Sequence, residues 1–283
     1  MKIKFSKVAI IGMGFMGGSL GRDILSLGIS RKVTGIGRNE ARLRKALAKR
    51  ACTDYTRNFE TGVKDADLVV IALPVLLIPP VFSRIRPFLA GGSVVTDMGS
   101  TKADIAVKIG EMDKDSVFVG SHPMAGSEKT GIDNIKGGLY KGATCIITPY
   151  RNYKKTAVRT VETLWKAVGM NTVIMDPAVH DRAAARISHF PHLAAFVITN
   201  MARKEIHGMP QIIGPGFRDM TRIAASGEEI WAEIFMSNKK EMLANIDKAI
   251  EEFDALSQMI YMNKQKELVA YIRKSRQLRE RIR

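Results

Sequence analysis

Several things are scarce in this 283-residue sequence, and each absence removes a class of protein. Its two cysteines, Cys52 and Cys145, lie far apart and fit no metal or redox spacing, so neither a disulfide framework nor a cysteine-bound metal is expected. No apolar run is long enough to span a bilayer. The longest, L-V-V-I-A-L-P-V-L-L-I-P-P-V-F over 68–82, is broken by Pro74, Pro79 and Pro80. It reads as a buried strand, a loop and the start of a helix. The N-terminus runs directly into a strand and a glycine turn, leaving no room for a signal peptide. A cytoplasmic protein without membrane contact is therefore expected. There is no internal repeat and no low-complexity linker.

Acidic residues are also few, 28 against 44 lysines and arginines, for a net charge of +16. Residues 264–283 hold eight basic side chains against Glu267 and Glu280, so this tail supplies +6. Such a field attracts nucleic acid, a dinucleotide or a dianionic small molecule alike. No helix-turn-helix, zinc-finger or RNA-binding signature accompanies it, so a solvated basic face is the plainer reading. A cofactor-sensing nucleic-acid-binding protein stays as the alternative from another class, with steep salt dependence of DNA binding as its mark.

What is present is an alternation. β-rich runs at 8–12, 33–37, 68–73, 93–97, 117–120 and 144–148 are separated mostly by helix-favouring stretches, as in βαβ units around a largely parallel sheet. T-V-I-M (172–175) offers a last edge strand. Asp176 then reads as a helix N-cap with Pro177 in the first turn, and no convincing strand follows. The expected fold is α/β, a Rossmann-like doubly wound and mostly parallel sheet over residues 1–175. An all-helical substrate and dimerisation domain over 176–283 completes it.

G-M-G-F-M-G (12–17) follows the first strand and opens a helix, the context a dinucleotide-binding glycine motif requires. Gly12 permits the turn, Gly14 lets a pyrophosphate approach, and Gly17 allows close helix packing. Phe15 and Met16 complete the loop, and Leu73 lies at the end of a neighbouring strand. At the end of the second strand an NAD site usually carries Asp or Glu for the ribose 2′-hydroxyl. This chain has Gly37, then Arg38 and Asn39. Arg38 is suited to a 2′-phosphate, so NADP or NAD is expected, with a lean to NADP.

Residues 120–128 read G-S-H-P-M-A-G-S-E. His122 follows the strand 117–120 and is held in a stiff turn by Pro123. A histidine at the carboxyl end of a strand sits where open α/β sheets bind ligands, and its ordinary pKa suits a proton acceptor at neutral pH. A histidine in a well-packed turn is the competing reading for this peptide alone. Glu128 is close enough to bond the loop or orient a neighbour.

With D-M-G-S-T-K (97–102), H-D-x-x-x-A-x-I-S-H-F-P-H (180–192), G-F-R-D-M-T-R-I-A (216–224) and Trp231, these motifs resemble the prephenate dehydrogenase family. That family includes arogenate and cyclohexadienyl dehydrogenases. The resemblance covers nearly the whole chain. It implies a homodimeric dehydrogenase that oxidatively decarboxylates a cyclohexadienyl alcohol with a nicotinamide cofactor, on prephenate or on arogenate. It further implies His122 as acceptor of the C4 hydroxyl proton, with Ser100 beside it. The bare sequence also allows Ser100 to cap the following helix. By the same resemblance, His192 and Arg222 contact substrate carboxylates and Asp181 belongs to a supporting ionic network. Arg218 carries charge at a position often lysine in the family. Trp231 resembles a residue supplied across the dimer interface, and a core tryptophan is equally natural.

Two geometric expectations come from spacing alone. At 100° per residue Asp181, Ser188 and His192 share one side of a helix that Pro191 kinks, with His189 off that line. Arg218 and Arg222, four apart, share a helix face. The Asp/His/His spacing is loose and hydride transfer to nicotinamide needs no metal, so none is expected.

Overall fold

The computed structural model describes residues 4–115, 117–126, 130–151 and 153–282. Eight strands form one sheet: β1 (Phe5–Ile11), β2 (Ser30–Ile36), β3 (Asp54–Thr56), β4 (Leu68–Ile71), β5 (Val94–Asp97), β6 (Phe118–Pro123), β7 (Thr144–Thr148) and β8 (Asn171–Ile174). Their spatial order is β3-β2-β1-β4-β5-β6-β7-β8. Among the described residues only the β6–β7 pair is antiparallel. The first six strands thus have the doubly wound order whose chain reversal between β1 and β4 opens a crevice at the carboxyl ends of the strands.

Strand alternation supplies the two core layers. Val8, Ile10, Leu68 and Val70 face one side, while Ala9, Ile11, Val69 and Ile71 face the other, and all are buried. This double burial is why those strands read as continuous apolar runs. The helices α1 (Phe15–Ser26), α2 (Glu40–Ala48), α3 (Phe59–Val63), α4 (Ile78–Ile85), α5 (Ala103–Gly110) and α6 (Lys155–Ala167) connect the strands. Pro79 and Pro80 fall in the opening turn of α4, where the missing N–H costs nothing. The edge strand β3 is three residues of D-Y-T, too short and polar to stand out in the sequence.

One local expectation is corrected here. His122 is not in a turn after the strand: β6 continues through Pro123, and His122 pairs with Ile146 of β7. Ladder hydrogen bonding with an antiparallel neighbour, rather than the proline alone, fixes its backbone.

Beyond β8 the chain is helical. Asp176 caps α7 (Pro177–Ala184), its carboxylate accepting from the amides of Ala178 and Val179 at 2.8 and 3.3 Å. A π-helical turn, Ala185–His189, joins α7 to α8 (Phe190–Met201), with Pro191 in the first turn of α8. Next come α9 (Arg203–Gly208), α10 (Pro215–Thr221), α11 (Glu228–Ser237), α12 (Lys239–Tyr261) and α13 (Gln265–Glu280). The chain forms two compact units, Met1–Asn238 and Lys239–Arg283. In the second, α12 and α13 are tied by the Tyr271 hydroxyl donating to Glu252 at 3.0 Å. Both helices carry exposed apolar side chains, among them Ile250, Phe253, Ile260, Ile272 and Leu278. Among the described residues no helix is long and apolar enough to cross a membrane.

Candidate active site

The glycine turn is shaped for a phosphate. Gly12 has φ of +101°, and a Cβ there would overlap the Ala72 carbonyl oxygen. A Cβ on Gly17 would overlap the Gly12 carbonyl oxygen, so α1 packs directly on the turn. At Gly14, the N-cap of α1, nothing lies within 4 Å of an added Cβ. The first turn of α1 has no acidic residue and no side-chain cap, which leaves its amides and dipole available to an anion. These features fit a dinucleotide pyrophosphate. Phe15 is buried and Met16 partly so, and the Met16 carbonyl accepts from the Tyr140 hydroxyl at 2.7 Å. Leu73 reaches over the turn, its Cδ2 lying 2.9 Å from where a Cβ on Gly12 would stand.

At the end of β2, Arg38 is exposed. Asn39 is committed elsewhere: its side chain caps α2 by accepting from the Arg42 amide at 3.0 Å. Glu40 is likewise engaged, with Arg44 at 2.7 Å. The first acid after β2 in the sequence is thus already paired.

The other half of the site is a chain of buried hydrogen bonds. Asp181 accepts from the backbone amides of Lys102 and Ala103 at 2.7 and 2.9 Å, so its carboxylate caps α5, a favourable place for negative charge. It also meets His180 Nδ1 at 2.8 Å, and His180 Nε2 lies 2.9 Å from His122 Nδ1. A carboxylate oxygen holding amide protons can only accept. Its position makes His180 Nδ1 the donor and His180 Nε2 an acceptor. His122 Nδ1 therefore carries the proton, and its Nε2 keeps the lone pair. Burial pushes the His122 pKa well below its usual value, and His180, Lys102 and His189 add to the effect. The tautomer and the charge state both suit a proton acceptor.

A second buried network holds β5 and β6 together beneath this relay. Lys102 and Asp97 form an ion pair with both side chains almost wholly buried. Asp97 also accepts from the Gly99 and Ser121 amides at 2.8 and 3.1 Å. The Ser121 hydroxyl bonds the Asp97 carbonyl oxygen at 2.6 Å and accepts from Trp165 Nε1 at 3.0 Å. With its partners satisfied, this polar cluster locks the strand that carries His122.

His192 stands one layer out. Its Nδ1 donates to the Ser188 carbonyl at 3.0 Å and its ring stacks on Trp231 at 3.6 Å between centroids. Burial lowers its pKa, the Ser188 carbonyl acts in the opposite sense, and the charge of Arg222 lowers it further. His189, fully buried, accepts from Asn238 Nδ2 at 3.3 Å and is pushed down to about 4, chiefly by burial. The fields of His122, His180, His189 and His192 act on one another, so four of the five histidines gather at one place. Ser100 is half-buried just after β5, and its backbone bears on His189.

Several expectations are corrected by this arrangement. Asp181 is buried behind the relay and supports His180 and α5; it presents no surface to a substrate. His189 lies on the buried face with Asp181. A π turn inserts about one extra residue, so the eight-residue step from 181 to 189 spans close to two helical turns. Arg218 and Arg222 do not share one α-helix, because α10 ends at Thr221 and a 3-10 turn starts at Arg222. Arg218 is exposed, and among the described residues its side chain makes no hydrogen bond or ion pair. Apart from these corrections, Trp231 of α11 stacks on His192 of the same chain. Glu128 lies outside the described residues.

The residue missed in the sequence is His180. The H-D pair at 180–181 was visible, but its link to His122 spans 58 positions.

The sheet order, the glycine cradle and the relay together define a dinucleotide-binding protein with a histidine poised for proton transfer. The chain belongs to the prephenate dehydrogenase family. Residues 20–174 match the family's nucleotide-binding domain and residues 176–274 its dimerization domain. It is therefore a nicotinamide-dependent dehydrogenase. Prephenate dehydrogenase of Bacillus subtilis (strain 168) is 31% identical over 96% of this chain and 75% of its own length. Cyclohexadienyl dehydrogenase of Zymomonas mobilis is 26% identical, covering 97% and 95%. The crystal structure of A. aeolicus prephenate dehydrogenase in complex with hydroxyphenyl propionate and NAD+ superposes with a TM-score of 0.92. It is 29% identical and covers all of both chains.

Proposed function

We propose that this enzyme oxidatively decarboxylates prephenate to 4-hydroxyphenylpyruvate, in the cytoplasm and as a homodimer. One observation carries the reading: the Asp181–His180–His122 chain fixes His122 Nε2 as an uncharged acceptor at the sheet edge that bears the glycine turn. Two strands, β4 and β5, lie between β1 and β6, so three steps of ordinary strand spacing separate them, about 14 Å. That distance lies within the reach of a bound dinucleotide.

The nicotinamide, when bound, supplies the acceptor for the hydride that leaves C4 of the ring. His122 Nε2 takes the C4 hydroxyl proton. The ring carboxylate departs as CO2, its bonding electrons complete the aromatic ring, and the C4 oxygen takes back the proton from His122 to give the phenol. Ser100 donates or accepts beside the same hydroxyl. Arg222 meets a substrate carboxylate, for which a guanidinium gives a bidentate and oriented contact. Arg218 adds positive field at the entrance. His192, stacked on Trp231, lines the substrate side. A neutral His192 that donates through Nδ1 to Ser188 has an acceptor at Nε2. It grips a carboxylate only after taking up a proton, which the bound acid itself favours. Glu128 is assigned to the substrate side by resemblance alone.

Gly12, Gly14, Phe15, Met16, Gly17 and Leu73 form the dinucleotide cradle. Arg38 with no free carboxylate beside it favours NADP over NAD; Asn39 contributes through the fold of α2. Residues 1–175 serve the cofactor and 176–283 the substrate and the dimer. The exposed apolar side chains of α12 and α13 support the latter.

The deciding experiment follows reduced nicotinamide absorbance with prephenate or arogenate, each with NAD or NADP. Turnover of prephenate, faster with NADP, is expected. Turnover of arogenate alone would replace the substrate, and no turnover of either would end the proposal.

A further inference from the structure

The end of α11 reaches the site with two consecutive polar residues that no role assigned so far uses. Ser237 Oγ donates to the Ile234 carbonyl at 3.1 Å, so at 3.0 Å it accepts the hydroxyl proton of Thr101, the residue after Ser100. Asn238 is 5% exposed. Its Nδ2 lies 2.9 Å from the backbone carbonyl oxygen of Asp181 and 3.3 Å from His189 Nδ1.

These contacts fix a proton. A carbonyl oxygen can only accept, so the side-chain nitrogen of Asn238, and not its oxygen, faces Asp181. The same nitrogen has a second proton to give, and His189 Nδ1 receives it. That ring nitrogen is therefore bare. His189 is fully buried and its pKa is pushed down to about 4, chiefly by burial. The ring is uncharged at neutral pH, and its one proton sits on Nε2. Around it, the Asp181 carboxylate favours charge on the ring, His180 and His192 oppose it, and the Trp231 ring stands edge-on at 6.1 Å. The backbone of Ser100 acts on the ring as a hydrogen-bond acceptor. With Nδ1 taken by Asn238, it is Nε2 that serves Ser100. Among the described residues Nε2 has no closed hydrogen bond. Contacts that serve catalysis are often long before substrate binds and tighten in the reacting complex.

We infer that Asn238 and His189 are positioning residues for the reaction: Asn238 fixes which nitrogen of His189 carries the proton, and that N–H steadies the Ser100 backbone so that the serine hydroxyl stays beside the C4 oxygen. One carboxamide then serves both neighbours of that oxygen. Through the Asp181 backbone it holds the segment that carries the relay to His122, and through His189 it holds the serine.

The inference rests on the role of Ser100 given above, and the experiment keeps the two apart. In the full-length enzyme carrying isotope-labelled histidine, nitrogen NMR at neutral pH reads the protonation of each ring nitrogen. The His189 signals, identified by their loss in His189→Gln, show a bare Nδ1 and a protonated Nε2. Asn238→Asp offers an acceptor where the donor stood and draws a proton onto Nδ1. This reading needs no substrate, so its outcome is distinct from a failure to turn over prephenate. In the steady state Asn238→Asp lowers kcat about tenfold or more, as for the loss of one oriented buried hydrogen bond, and leaves KM for the cofactor unchanged. Two substitutions at His189 then separate direction from packing. A glutamine carries its amide out to the place of Nε2, whereas an asparagine reaches only as far as Nδ1. His189→Asn lowers kcat about tenfold or more, and His189→Gln restores most of the rate at a similar Tm. Where Asn238→Asp does not fold, this pair decides. A proton on Nδ1 of His189 in the unsubstituted enzyme, an unchanged kcat in folded Asn238→Asp, or equal losses from His189→Asn and His189→Gln overturns the inference.

Discussion

His122 Nδ1 and His180 Nε2 share one hydrogen bond of 2.9 Å, with their rings crossed at 68°. Two imidazoles in that contact need one proton between them, and Asp181 behind His180 decides which ring holds it. The consequence is directional: the lone pair is delivered to His122 Nε2. Burial keeps that nitrogen from being protonated in the resting enzyme.

His122→Asn removes the acceptor and should lower kcat by about 100-fold or more, the usual contribution of a positioned general base. Dinucleotide affinity, read by fluorescence titration, should change little, because the glycine cradle is built on other strands. A kcat within a factor of about two of the unsubstituted enzyme removes His122 from the chemistry.

His180 is a positioning residue, and its loss should be visible in a pH profile rather than in affinity. His180→Phe frees the His122 tautomer and lowers kcat about tenfold or more. It also removes a neighbour that depresses the His122 pKa, so the acid limb of kcat moves to higher pH. His180→Gln, which can still accept through its side-chain oxygen, restores part of the rate. An acid limb that stays in place would assign His180 to packing alone.

Acid should cost both activity and stability, with the same sign. His122, His189 and His192 have pKa values below 6.5 in the folded protein. As pH falls below 6.5, the unfolded chain takes up these protons first, so stability present above that pH is lost progressively toward the folded-state values. For His189, lowered from 6.5 to about 4, the contribution is roughly 3 kcal/mol. Thermal melts from about pH 8 to about pH 5 check it, and a Tm that is flat across this range contradicts it.

Arg222→Ala should raise the KM for prephenate by about 10–100-fold, as expected for losing one charge-assisted, bidentate contact. Arg222→Lys should recover only part of it. An unaltered KM would move the carboxylate contact elsewhere.

Arg38→Ala should lower kcat/KM for NADP about tenfold or more and leave NAD nearly unaffected, since a 2′-phosphate contact is the only one removed. Equal losses with both cofactors would show that Arg38 does not read the phosphate.

The parts of the fold governed by local rules could be read from the sequence. Asp176 and Pro177 start α7 as capping chemistry requires, and the apolar run 68–82 divides at its prolines into β4, a short turn and α4. The glycine turn was equally legible, because each glycine answers a steric demand of its surroundings. What escaped depended on partners distant in sequence. His122 belongs to a strand only because β7 returns antiparallel beside it. Asp181 was placed in a supporting network by resemblance, but nothing in its own segment announces that the α5 amides claim it. His189 was misplaced because uniform helical spacing was applied across a turn of a different period.

That turn lets the segment from Pro177 to Met201 hold one residue more than an ordinary spiral of the same span. Deleting one residue between 185 and 189 would restore an α-helix, whose seven residues turn through about 700°, close to the two turns that eight cover here. Everything downstream, His192 included, would keep its bearing on the parts upstream. What the deletion would remove is the bulge itself, where Ser188 offers the carbonyl that holds His192 Nδ1, so the surplus residue shapes this corner of the site and not the path of the helix.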